Sequence, residues 1–170
     1  MRRRRQMDVI IDFDPEDFYM GEAGFLSRGQ SIWGVPPHAH MVVMYYIQDL
    51  LDQYGAAYPE PGWTWTDFLD AGLALRDPDE DVFGYVPGSR SAAASFVYQH
   101  GGQLYDDLQT PTYVTYDDPL TVEALEWYTA LFLEHNIAPT PEQARRAFGG
   151  DADNAIYRAI RRGQVGMWTG

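Results

Sequence analysis

An α/β fold is what the sequence predicts. Apolar runs of strand length alternate with helix-like segments along the chain, and the segments read as helices open on local capping chemistry. The run Met41–Tyr46 (MVVMYY) is the strongest strand signal. An unbroken apolar run of that length suits a strand covered on both faces, as in α/β proteins. Thr64-Trp65-Thr66-Asp67 and Thr140-Pro141-Glu142-Gln143 are capping boxes, and Asp118-Pro119 places an acid at a cap with proline in the first turn.

The elements follow in order. Val9–Ile11 between aspartates reads as a strand end, and residues 15–23 as a short helix closed by Gly24. SIWGVPP (31–37) is a short extended piece. After the 41–46 strand, Asp49–Tyr54 is a brief helix stopped by Gly55. The Thr64 box opens a helix with Trp65, Phe68, Leu69, Leu73 and Leu75 at helical spacing, ended by RDPDED. Val82–Val86 is a strand, and Ser91–His100 a small-residue helix stopped by Gly101-Gly102. In the helix opened by Asp118, Leu120, Ala124, Tyr128, Leu131 and Phe132 form one apolar face. Asp153–Arg162 is amphipathic and ends at Gly163, and VGMW (165–168) is a last strand. A domain seldom stops beside a buried strand, so Gly170 reads as the end of a piece of a longer domain.

Composition narrows the function. The 170 residues carry a formal net charge of −13 with no lysine and no cysteine. Such a chain repels phosphate backbones, so no nucleic acid is expected as a partner. Schiff-base chemistry, the phosphate-loop lysine, thiolate metal sites and disulfides are excluded. Aromatic residues make up 15%, with 12 Tyr and 5 Trp. Such side chains fill cores and also make good binding surfaces. The start MRRRRQMDVIIDFD has a basic region but no apolar segment of export-signal length after it.

The order IWGVP…MYYIQDLLDQYG…PEPGWTWTDFLDAGLAL…FGYV…FVYQHGGQLYDD…DDPLTVEALEWYTALF…APTP…AIRRGQVGMWTG resembles the extracellular solute-binding proteins of family 1, the maltose-binding-protein-like receptors of ABC importers. The resemblance covers about Asp8 to Gly170 and is strongest from Ile32 onward. It implies the type II periplasmic-binding-protein-like fold, with two lobes closing on a sugar, no catalytic step and no cofactor. Residues 1–40 would then be a remnant of the first lobe with the crossover, and 41–170 the second lobe, truncated at its C-terminus. The implied partners are a small polar solute and the permease subunits, and the implied state is a monomer. The implied location is periplasmic or extracellular and membrane-attached, although this chain lacks a signal peptide. The stretch before Asp8, the gap between AGFL and SIWGVP and the end at Gly170 are all shorter than the family pattern.

Six residues are candidates for ligand binding. His38 and His40 form a His-x-His pair that the resemblance sets at the crossover lip of the cleft. Trp33 precedes the crossover. Arg90 and Ser91 lie in a strand-to-helix loop, where a guanidinium fork and helix N–H groups can hold a polar group. Trp168 ends the last strand, where its indole face can pack on a pyranose ring or fill the core. A metal-dependent hydrolase using His38/His40 is the alternative, but only His100 and His135 remain as further imidazole ligands. A truncated remnant that binds nothing is the third reading. The acid pairs Asp12/Asp14, Glu16/Asp17, Asp106/Asp107 and Asp117/Asp118 fall in turns and helix starts, where carboxylates cap rather than catalyse.

Overall fold

A computed structural model describes residues 27–28, 31–34, 41–88, 91–108, 110–149 and 152–170. The chain divides into two units, Met1–Met41 and Val42–Gly170. In the first, β1 (Ser27–Arg28) pairs antiparallel with β2 (Ser31–Ile32). The expected strand end at 9–11 and helix at 15–23 lie outside the described residues.

The second unit is built on three strands, β3 (Met44–Tyr46), β4 (Phe83–Pro87) and β5 (Val165–Thr169), in the order β3-β5-β4. The last strand is therefore the middle one. It runs parallel to β4 and antiparallel to β3, with Met167 opposite both Tyr85 and Tyr46. Among the described residues six helices accompany the sheet: α1 (Gln48–Tyr54), α2 (Trp65–Leu75), α3 (Ala92–Gln99), α4 (Pro119–Leu133), α5 (Pro141–Phe148) and α6 (Ala152–Arg161).

Local chemistry sets most boundaries. Both capping boxes form: Thr64 Oγ1 accepts from Asp67 N at 3.3 Å, and Thr140 Oγ1 from Gln143 N at 3.3 Å, with each return bond at 2.8 Å. Asp118 caps α4 by accepting from Leu120 N at 3.0 Å. Gly55 closes α1 at φ 68°, a left-handed geometry that a side chain resists.

Two apolar clusters hold the unit together. Tyr85 and Met167 join Leu51, Phe68, Leu75, Phe96, Leu131 and Ile137 in the larger, which α1 to α4 and the loop after α4 supply. Phe83, Val86 and Val165 join Phe148 and Ala159 in the smaller, supplied by α5 and α6.

Three expectations need correction. The Met41–Tyr46 run is not covered on both faces. Only 44–46 are strand, at the sheet's edge, and Val42 and Tyr45 are each nearly half exposed. Leu73 is exposed, because α2 turns Phe68, Ala71, Gly72 and Leu75 inward instead. Leu120 is also exposed. Thr121 takes the buried place on α4, donating to Gln103 O at 2.8 Å and accepting from Gln103 N at 3.1 Å. A buried hydroxyl bonded on both sides carries little penalty.

Burial pushes the Tyr85 phenol well above its ordinary value of 10.0, and burial also raises Tyr128. Each folded pKa lies above the unfolded one, so the unfolded chain loses its protons first as pH rises. Stability should hold to about pH 10 and fall progressively above it. Urea midpoints measured between pH 8 and 11 would check this. A flat profile in wild type, or the same fall in Tyr85→Phe/Tyr128→Phe, would count against it.

Candidate functional site

Ligands of α/β proteins usually sit beyond the carboxyl ends of the parallel strands. In the Val42–Gly170 unit that edge is formed by the ends of β4 and β5 and the start of β3. Thr169 organises it. The residue is 6% exposed, and its Oγ1 meets both the Tyr85 hydroxyl at 3.1 Å and the N–H of Gly88 at 3.3 Å. A Cβ on Gly88 would lie 1.7 Å from Thr169 O, so only glycine lets the loop after β4 fold onto the end of β5. Beyond Thr169, Gly170 and Val43 exchange two backbone bonds of 3.1 Å.

An aromatic pair stands at this edge. Tyr45 and Trp168 are directly opposite in the β3–β5 ladder, stacked with ring centroids 5.5 Å apart and planes 17° from parallel. Trp168 is half-buried against the smaller cluster, while Tyr45 is 47% exposed. Anchoring one ring in the core holds the exposed one flat. Such a platform suits the apolar C–H face of a sugar.

Beside it lies a groove of about 390 Å³, lined by Val86, Pro87, Gly88, Arg145, Phe148 and Ile156 among others. It opens between the end of β4 and the helices α5 and α6. Phe148 stacks edge-on against Phe83 at 5.7 Å, which fixes the floor.

The expected site residues fall as follows. Trp168 is on the edge described. Ser91 begins α3 just beyond Gly88, its carbonyl accepting from Ser95 N at 3.1 Å. Trp33 belongs to the Met1–Met41 unit and is 79% exposed. His38, His40 and Arg90 lie outside the described residues. Among the described residues, no group of three or more His, Cys, Asp or Glu is placed to hold a metal. His100 is engaged elsewhere, meeting Glu123 Oε2 at 3.1 Å and stacking on Trp65. The Asp106 carboxylate serves as a turn anchor. It accepts from the side chain and backbone of Thr112 and from Tyr113 N, and these bonds hold its pKa down at about 2.

Sequence reasoning missed Tyr45, Thr169 and Arg145. Tyr45 was hidden in a run read as wholly buried. Thr169 and Arg145 join the edge only through the sheet pairing and the position of α5, which no local pattern encodes.

The sequence profile of the bacterial extracellular solute-binding proteins matches residues 8–169. The chain belongs to this family. The solute-binding protein is 25% identical over 133 residues to the arabinooligosaccharide-binding protein of Halalkalibacterium halodurans, an alignment covering 78% of this chain and 28% of that one. In structure it resembles an ABC substrate-binding protein of Listeria monocytogenes solved with cycloalternan, at TM-score 0.76 and 26% identity over 93% of this chain and 39% of the other. A Thermotoga lettingae solute-binding protein bound with alpha-D-tagatose shares the fold at TM-score 0.59 and 24% identity, over 76% of this chain and 32% of that one. This solute-binding protein thus has part of the type II periplasmic-binding-protein fold, spanning between about a quarter and two fifths of the relatives' lengths. No described helix is long and apolar enough to cross a membrane.

Proposed function

We propose that this protein serves as the substrate-binding component of an ABC importer, capturing a carbohydrate outside the cytoplasm and handing it to membrane permease subunits. The stacked Tyr45–Trp168 pair at the carboxyl edge of the sheet is the observation that carries this reading. Relatives whose names specify an arabinooligosaccharide or whose structures hold cycloalternan support a saccharide as ligand.

On this reading, 41–170 belong to the second ligand-binding lobe and 1–40 to the first lobe and the crossover. Trp168 and Tyr45 stack on the sugar, and the Arg90–Ser91 loop meets its polar groups. Trp33, His38 and His40 contribute from the crossover side. Capture proceeds by closure of two lobes, without a catalytic step, in a monomeric receptor held at the outer face of the membrane. No nucleic acid is a partner.

The test is a saccharide panel measured by thermal shift and then by titration calorimetry on the full-length receptor. A hit should raise the melting temperature in wild type. Stacking of this kind is worth about 0.5–1.5 kcal/mol, so Tyr45→Ala should weaken the hit about two- to tenfold, and Trp168→Ala at least as much. The reading fails if no saccharide shifts the melting temperature, or if both variants bind as wild type does.

A further inference from the structure

The groove beside the aromatic pair has an unusual lining for a chain this acidic. Among the described residues no carboxylate, hydroxyl or amide side chain borders it, and Arg145 is the one polar side chain that does. The rest is proline, glycine and hydrocarbon, with Phe148 in the floor. Arg145 is exposed and has no carboxylate within ion-pair distance among the described residues, whereas its neighbour Arg146 lies 3.9 Å from Asp81. Arg158 is committed to the end of α5, donating to Phe148 O at 3.4 Å. In a chain whose formal net charge is −13, a guanidinium such as that of Arg145 stands out.

A neutral oligosaccharide needs several convergent polar groups to fix its hydroxyls. Among the described residues this groove offers one guanidinium fork above an apolar floor, which is the complement of a carboxylate carried on a ring with an apolar face. We propose that the groove takes the acid group of a uronic-acid-bearing saccharide, with Arg145 forming a bidentate pair to the carboxylate and the ring's C–H face lying on Pro87 and Phe148. The proposal rests on the saccharide-receptor reading and adds the charge class of the ligand.

Titration calorimetry on the full chain with an oligogalacturonate and a neutral galacto-oligosaccharide of the same length tests this directly. The acidic sugar should bind at least tenfold more tightly, with an advantage that shrinks as salt is raised. Arg145→Gln should abolish that advantage, about a ten- to hundredfold loss for a charge-assisted pair, without changing the melting temperature of the free protein. Equal binding of the two sugars, binding of neutral saccharides alone, or a preference that survives Arg145→Gln would overturn the acidic-ligand proposal while leaving the saccharide receptor standing. If no saccharide of either kind binds, both fall together.

Discussion

Gly84→Ala should destabilise the protein by about 3 kcal/mol or more, at the upper end of what inserting one methyl group into a packed site costs. The reason is a crossing of two backbones. A Cβ on Gly84 would stand 2.1 Å from the carbonyl oxygen of Gly72 and 2.7 Å from its carbonyl carbon and Cα. Neither group can rotate aside, so α2 would have to lift from β4, and with it Phe68, Ala71 and Leu75 from the larger cluster. Gly166 supplies the comparison. A Cβ there would meet Leu75 Cδ1 at 2.7 Å, Cδ2 at 3.0 Å and Cγ at 3.1 Å, a buried side chain rather than a backbone. Gly166→Ala should therefore cost less, about 1–3 kcal/mol. Urea unfolding of both variants decides the matter, and a Gly84→Ala midpoint close to wild type, or a larger loss at Gly166, would refute the account.

Phe96→Ala should cost about 3–5 kcal/mol, a large part of the 5–15 kcal/mol typical of a whole domain. Phe96 is the hub of the aromatic packing. Its ring lies 5.3 Å from those of Trp127 and Tyr128, 5.6 Å from Trp65, 6.0 Å from Phe68 and 6.3 Å from Tyr85. Removing it empties the centre of a group whose other members cannot all move inward. Trp65 and Trp127, stacked 4.4 Å apart, would report the loss as a shift in fluorescence. Tyr157, 65% exposed, is the matched control, and Tyr157→Ala should stay within about 0.5 kcal/mol of wild type. Equal effects at the two positions would show that the cluster is not the core.

Chemistry confined to a few neighbouring residues was legible in the sequence. Thr64 with Asp67, Thr140 with Gln143 and Asp118 with Pro119 each place a helix start within a residue, because donor and acceptor belong to one turn. Facing was harder. Helical spacing named Leu73 and Leu120 as inward, yet Ala71, Gly72 and Thr121 took those places. A small residue or a doubly bonded hydroxyl can outcompete leucine where backbones approach closely or a loop needs anchoring. Strand order left no local trace. That is why Tyr45 could be read only as core, although pairing with β5 makes it the exposed half of a platform. Trp168 was legible as a candidate because it ends a strand, and Arg145 was not, since nothing near it in sequence refers to β4.

The middle position of β5 also bears on how the molecule is made. β3 and β4 are not hydrogen-bonded neighbours, and among the described residues each forms its ladder with residues 165–169. Until that segment leaves the ribosome, the described sheet has no hydrogen-bonded ladder at all, however well α1 to α5 have formed. At synthesis rates of about 5–20 residues per second, β3 waits several seconds with both edges unsatisfied. Closure then depends on contacts between distant parts of the chain, the kind that slows folding and lengthens exposure to wrong partners. Chaperone demand during synthesis should therefore centre on the Met44–Tyr46 and Phe83–Pro87 segments until residues 165–169 are available to pair with them.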